Sequence, residues 1–252
     1  MGKNILKLSN VSKDYIGPLG NKVHLLENIE FDLELNKSTS IIAPKGAGKS
    51  SLLKIVSGLE QPTSGEIIAS ENFKKVLIPS EPSSFPWLSV FENVLFGNKK
   101  LDTDKAMEIV ELVGLEGYED HRPHNNSYGF RFRIALARAL AVNPDLVVLD
   151  EPFTNMKSTT KEEIYSLVRE VNSSVDCTFL IGTTNISEAI FLSEQIILVQ
   201  KNPGKVFDKI NIDLPFERSI DIMNDEKFIQ IRNQIESKFR KLETNQLFSF
   251  SI

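Results

Sequence analysis

The stretch "APKGAGKSS", residues 43–51, combines small residues, two lysines and two serines at a spacing that suits a phosphate. Gly46 and Gly48 let backbone amides close around an anion where a Cβ would obstruct, and Lys45 and Ala47 complete the bend. Lys49 can reach the β- and γ-phosphates of a nucleotide, and Ser50, followed by Ser51, can place a hydroxyl on Mg²⁺. A Walker A loop of this kind needs a strand before it and a helix after it. "STSIIA" reads as the strand, and "KSSLLKIVSGL", closed by Gly58, reads as the helix. About a hundred residues on, "LVVLDEP" carries Asp150 and Glu151 to the end of an apolar, strand-like run. Carboxylates there are costly unless they serve a cation. Asp150 suits the Mg²⁺ shell, and Glu151 suits a base that polarises an attacking water.

Those residues must be held by alternating strands and helices. Strands are predicted at "NILKLSNV", "KVHLLENIEFDLEL", "GEIIAS", "KKVLIPS", "DLVVL", "CTFLIG" and "QIILVQ". Helices are predicted at "SVFENVLFG", "DTDKAMEIVELVGL", over 131–142, and at "STTKEEIYSLVREVN". Ser127 is placed to cap the helix that follows "NSYGF", and a helix N-terminus is an anion site. The alternation implies a parallel sheet flanked by helices. The block 87–142 reads as a helical insertion, and the charged tail from 204 ends in an amphipathic helix predicted over 225–242.

Bulk properties narrow the function classes. The chain has 252 residues, a net charge of −5 and 41% hydrophobic residues, an ordinary globular balance that argues against a dedicated nucleic-acid partner. The single cysteine, Cys177, sits in an apolar run and reads as a buried structural thiol. No run approaches the roughly 20 apolar residues of a membrane span, and "MGKNILKLSN" lacks the apolar centre of a signal peptide. His24, His121 and His124 lack a partner at zinc-ligand spacing. "FRFR", 130–133, reads as helix packing and solvation, and Trp87 is expected to pack within the helical block.

The two motifs, with a helix headed by Ser127 shortly before the second, resemble the ATP-binding subunits of ABC transporters, and the resemblance spans almost the whole chain. "EPSSFPWLSVFENVLFG" and "PGKVFDKINIDLPFER" are similar to importers of nitrate, sulfonates and taurine. The resemblance implies an α/β P-loop NTPase (RecA-like) fold with an N-terminal antiparallel β portion and an inserted helical subdomain. It implies one ABC domain over 1–252, with 1–86 and 143–203 as core, 87–142 helical and 204–252 as extension. It implies ATP and Mg²⁺ as cofactors and Tyr15, in "NVSKDY", as the ring that stacks on adenine. Its partners would be membrane permease subunits, a second ATP-binding subunit and, indirectly, a substrate-binding protein. Its place would be the cytoplasmic, inner face of the membrane.

The sequence departs from the family where catalysis is coupled. Ser80 stands at the Q-loop glutamine, and Lys157 stands at the D-loop aspartate. Thr184 replaces the switch histidine, and Asn36–Lys37 replace a Gly–Glu pair. "NSYGF" replaces Leu-Ser-Gly-Gly-Gln, so of Ser127, Tyr128 and Gly129, which would face a partner's ATP, only the first and third match. The expectation is an ATP-binding importer subunit with impaired hydrolysis. Two other readings are a non-catalytic partner of an intact ATPase and a soluble ABC-type protein acting on another assembly. Lys157 is also a candidate replacement cation near the phosphate.

Overall fold

The computed structural model describes residues 3–17, 20–123 and 127–249, those from 242 onward by backbone alone. The first strands are β1 (Asn4–Ile16), β2 (Lys22–Glu34) and β3 (Thr39–Ile42), followed by helix α1 (Lys49–Val56), β4 (Ser64–Ala69) and β5 (Lys75–Ile78). A helical block holds α2 (Val90–Gly97), α3 (Thr103–Leu112) and α4 (Tyr128–Leu140). Then come β6 (Leu146–Asp150), α5 (Ser158–Ser174), β7 (Thr178–Thr183), α6 (Ile186–Leu192), β8 (Gln195–Gln200), β9 (Lys205–Asn211) and α7 (Glu226–Ser249).

Two sheets result. One is antiparallel, in the order β2-β1-β4, and the other runs β5-β6-β7-β3-β8-β9. The second is parallel except where β9 returns antiparallel to β8. Every residue of β3, β6 and β7 is buried, as expected for strands covered on both faces. Strand alternation sends Leu146 and Val148 to one face, where they meet α1 and the antiparallel sheet. Val147 and Leu149 point the other way, onto the helices.

Within the helical block, α2 begins with a capping box. The Ser89 hydroxyl accepts from the Glu92 amide, and the Glu92 carboxylate accepts from the Ser89 amide. The fully buried Asn93 side chain accepts from the Phe85 amide and donates to the carbonyls of Phe85, Leu88 and Ser89. That bonding fixes the turn before α2 and turns Trp87 outward. Trp87 is 66% exposed, so the expected packing inside the block does not occur; its ring leans on Phe85, 5.4 Å between ring centroids.

Other differences from expectation are local. Helix α4 starts at Tyr128, because the Ser127 hydroxyl accepts from the Phe130 amide at 3.3 Å and opens the helix there, and it ends at Leu140. The tail contributes β9, whose residues are half-buried or exposed and none fully buried, as suits an edge strand, and α6 forms where no helix was predicted. His124 and its neighbours at 125–126 lie outside the described residues. Asn36 has φ +57°, the left-handed region that Asn tolerates, so it does the conformational work of a glycine.

Arg218 ties the tail to the core. Its Nη1 donates to the carbonyls of Ile190, Phe191 and Ser193 at the end of α6, at 2.7, 2.9 and 3.0 Å. Burial, then the neighbouring Arg169, lowers its guanidinium pKa to about 10, against the pull of Glu194.

Candidate nucleotide site

The loop between β3 and α1 depends on two glycines. Gly46 and Gly48 have φ of +84° and +85°. A Cβ on Gly48 would also lie 2.7 Å from Leu26 and 2.9 Å from Leu25, so that position needs glycine for space as well as conformation. Helix α1 has no side-chain cap and no acid in its first turn. Its first amides are therefore free for an anion, and the helix dipole favours one.

Strand β6 delivers the two carboxylates. Glu151 has φ +47°, a left-handed conformation that a non-glycine residue adopts at some cost, held by its amide donating to the Gly182 carbonyl at 2.8 Å. The bend points its carboxylate at Lys49, whose Nζ donates at 2.7 Å, while Thr154 Oγ1 donates to the other oxygen at 3.3 Å. Asp150 Oδ1 lies 3.7 Å from Lys49 Nζ, is buried and has no hydrogen-bond partner. A buried, orphaned carboxylate oxygen beside a lysine suits a divalent cation, so the residues fit Mg²⁺.

A cleft of about 480 Å³ runs along this loop. It brings together Lys45, Gly46, Gly48, Lys49, Ser50, Ser51 and Glu151, and the departed positions Ser80 and Thr184 also line it. Ala47 is buried behind the loop. Tyr15 stands at the rim: its hydroxyl bonds Ser51 Oγ at 3.1 Å and donates to Glu60, and Lys13 lies 5.1 Å from its ring. Burial, then the Glu60 contact, raises the Tyr15 pKa. Lys157 precedes α5 on the surface and does not line the cleft, so the structure does not bring it to the phosphate loop.

Four lining or supporting residues were not foreseen: Leu25, Thr154, Asn155 and Gly182. Gly182 is the most informative, since a Cβ there would lie 2.4 Å from Leu53 and 3.3 Å from the Lys49 stem. It lets the lysine run across the sheet to the carboxylates. A glycine inside the apolar run "CTFLIG" was the available signal. The turn bearing Thr184 is held by Glu188, which accepts from Thr183 at 2.7 Å, Tyr165 at 2.6 Å and Lys161 at 3.4 Å. Burial, then Glu188, pushes the Tyr165 hydroxyl pKa up.

Ser127, Tyr128 and Gly129 lie at the start of α4, away from this cleft. The Tyr128 ring is turned aside under the Arg131 guanidinium, 4.4 Å from its centroid. Gly129 is buried, and a Cβ there would lie 2.5 Å from Thr160 Cγ2 on α5.

Comparisons with known proteins agree with this geometry. The ABC transporter family profile matches residues 26–154. The aliphatic sulfonates import ATP-binding protein SsuB of Bacillus cereus (strain ZK / E33L) is 36% identical, over 93% of this chain and 95% of that protein. The taurine import ATP-binding protein TauB of Roseobacter denitrificans is 32% identical, over 84% of this chain and 82% of its own length. The nitrate import ATP-binding protein NrtD of a Synechocystis strain is 29% identical, over 96% and 97%. Among solved structures, the dimeric bacterial ABC transporter cassette MJ0796 superposes with a TM-score of 0.71 and 28% identity, covering 84% of this chain and all of that one. With a phosphate loop, paired carboxylates, two-sheet fold and relatives that span nearly its whole length, this chain belongs to the ABC transporter family.

Proposed function

We propose that this chain is the ATP-binding subunit of an ABC importer, coupling ATP binding to solute uptake through a membrane permease. The observation that carries the reading is the cleft in which the uncapped α1 terminus, Lys49 and Glu151 converge, with the buried Asp150 carboxylate 3.7 Å from the Lys49 ammonium. Lys49 would exchange its carboxylate partners for the β- and γ-phosphates, with Gly46, Ala47, Gly48 and Ser51 supplying loop amides. Ser50 and Asp150 would hold Mg²⁺, which neutralises phosphate charge and orients the chain of phosphates. Tyr15 would stack on the base, and Glu151 would act as the base toward water. The single domain would divide into a core of 1–86 and 143–203, a helical subdomain of 87–142 and an extension from 204.

Hydrolysis by this chain alone is proposed to be slow. Ser80 and Thr184 face the cleft where the family places a glutamine and a histidine, and a threonine carries neither the charge nor the reach of histidine. Loss of one preorganised contact typically costs about 10²–10³ in rate. Ser127, Tyr128 and Gly129 would serve the ATP of a second ATP-binding subunit, in a homodimer or with an intact partner. The latter reading, a non-catalytic partner of an intact ATPase, is favoured by the same Ser80 and Thr184.

The permease would dock at the cytoplasmic membrane face on the exposed rings of Trp87 and Phe96, which are 66% and 54% exposed and flank Phe85. A substrate-binding protein would act only through that permease, and no nucleic acid is involved. Among the described residues no helix is long and apolar enough to cross a membrane. The test is ATP binding and turnover by the purified chain. Tight binding lost in Lys49→Ala, with turnover far below that of a working importer, is expected. Fast turnover abolished by Glu151→Gln would overturn the slow-hydrolysis reading, and absence of ATP binding would overturn the whole.

A further inference from the structure

The two lysines of the phosphate loop are in opposite situations. Lys49 is 8% exposed and committed to Glu151 and Asp150, at 2.7 and 3.7 Å. Lys45, at the outer bend, is exposed, and among the described residues its ammonium has no ion pair or hydrogen bond. The backbone beneath it is a defined turn, with Pro44 ahead, Gly46 at φ +84° behind, and the Ala47 amide donating to the Pro44 carbonyl at 3.1 Å. The loop therefore presents a cation on a flexible stem from a fixed anchor.

Its position is shared by two clefts. One is the nucleotide cleft; the other, of about 430 Å³, lies between the loop and α7. Pro44, Lys45 and Thr184 line both, so Lys45 and Thr184 stand together on the dividing wall. The carboxylates in reach are already engaged. Glu151 on the nucleotide side holds Lys49 at 2.7 Å, and Glu236 on the other side is held by Arg240 at 3.6 Å and Arg232 at 3.9 Å. Arg240 lines the second cleft beside the Glu236 that it holds, so that side offers Lys45 no uncommitted carboxylate.

We propose that Lys45 supplies to the terminal phosphate of the bound nucleotide the positive charge that Thr184 lacks. A threonine hydroxyl offers hydrogen bonds without charge, whereas a lysine adds three donors and a full charge on a flexible stem. Lys45 thus acts as a γ-phosphate contact within the nucleotide site already proposed, on which this inference rests. A group that contacts the terminal phosphate favours a triphosphate over a diphosphate, whereas a loop that only holds the fold does not discriminate.

The test is equilibrium binding of Mg²⁺ with ADP or with the β,γ-imido analogue of ATP, to the full chain and to Lys45→Met and Lys45→Arg. Lys45→Met is expected to weaken the triphosphate analogue about tenfold and ADP less than about twofold, and Lys45→Arg to keep the original preference. Equal weakening of both ligands, or no change in Lys45→Met, overturns the inference while leaving the nucleotide site intact. Failure of the unaltered chain to bind either ligand overturns the nucleotide site itself, and the inference with it.

Discussion

Replacing Gly129 by alanine separates packing from ligand contact at the start of α4. The added Cβ would lie 2.5 Å from Thr160 Cγ2, against an ordinary carbon–carbon contact of about 3.5–4.0 Å. Thr160 sits in α5, where a β-branched side chain has few rotamers to escape into, so the helices must separate by roughly 1 Å. Overpacking of this kind costs about 1–3 kcal/mol. Alanine returns up to about 1 kcal/mol of helix propensity, less in a first turn. The expected net loss is about 1–2 kcal/mol, read as a lower urea midpoint at unchanged slope. Thr160→Ser removes the obstructing methyl. In that background Gly129→Ala should be neutral or slightly stabilising, a coupling of at least about 1 kcal/mol in a double-mutant cycle. If Gly129→Ala is as stable as the parent, or loses the same amount when combined with Thr160→Ser, then the glycine is not required by the α4–α5 contact.

Three further outcomes follow from buried polar groups. Burial first of all raises the Cys177 thiol pKa to about 12 from 9, so its thiolate fraction at pH 8 is roughly a thousandfold smaller than that of a free thiol. A disulfide reagent at pH 8 should therefore react only at the rate of unfolding, and fast labelling of the native chain would contradict the burial. Because the folded pKa is raised, the thiol's contribution to stability is complete below about pH 9 and declines as pH climbs toward 12, measurable as a falling urea midpoint. Tyr165→Phe removes the 2.6 Å donor to Glu188, itself only 5% exposed, and should cost about 1.5–3 kcal/mol in urea unfolding; an unchanged midpoint would mean Glu188 is not held as a buried carboxylate.

Much of the site was legible because its signals are contiguous. Gly46, Gly48, Lys49 and Ser50 occupy one bend, and Asp150 and Glu151 are adjacent, so spacing alone implies their chemistry. The elements bearing them were also legible, since β3, β6 and β7 are short apolar runs with turn residues on either side. Trp87 was misjudged because a proline-rich turn has no periodicity to say which of its aromatics faces inward. That choice was made by Asn93, eight residues beyond the amide of Phe85 that it holds. Strand β9 was hidden by its charges, Lys205, Asp208 and Lys209, which fall on both faces and interrupt the apolar alternation.

What the sequence determined by itself was the chemical kind of site, a phosphate loop with carboxylates and substituted neighbours, because residue type and local spacing suffice for that. The partners of those residues depended on strand order. β7 lies between β6 and β3, which puts Gly182 under the Lys49 stem and its carbonyl on the Glu151 amide. Likewise only the fold could place Thr184 beside Lys45 and leave Lys157 off the cleft. Those residues lie on different strands and loops far apart along the chain, and no local pattern carries the register that joins them.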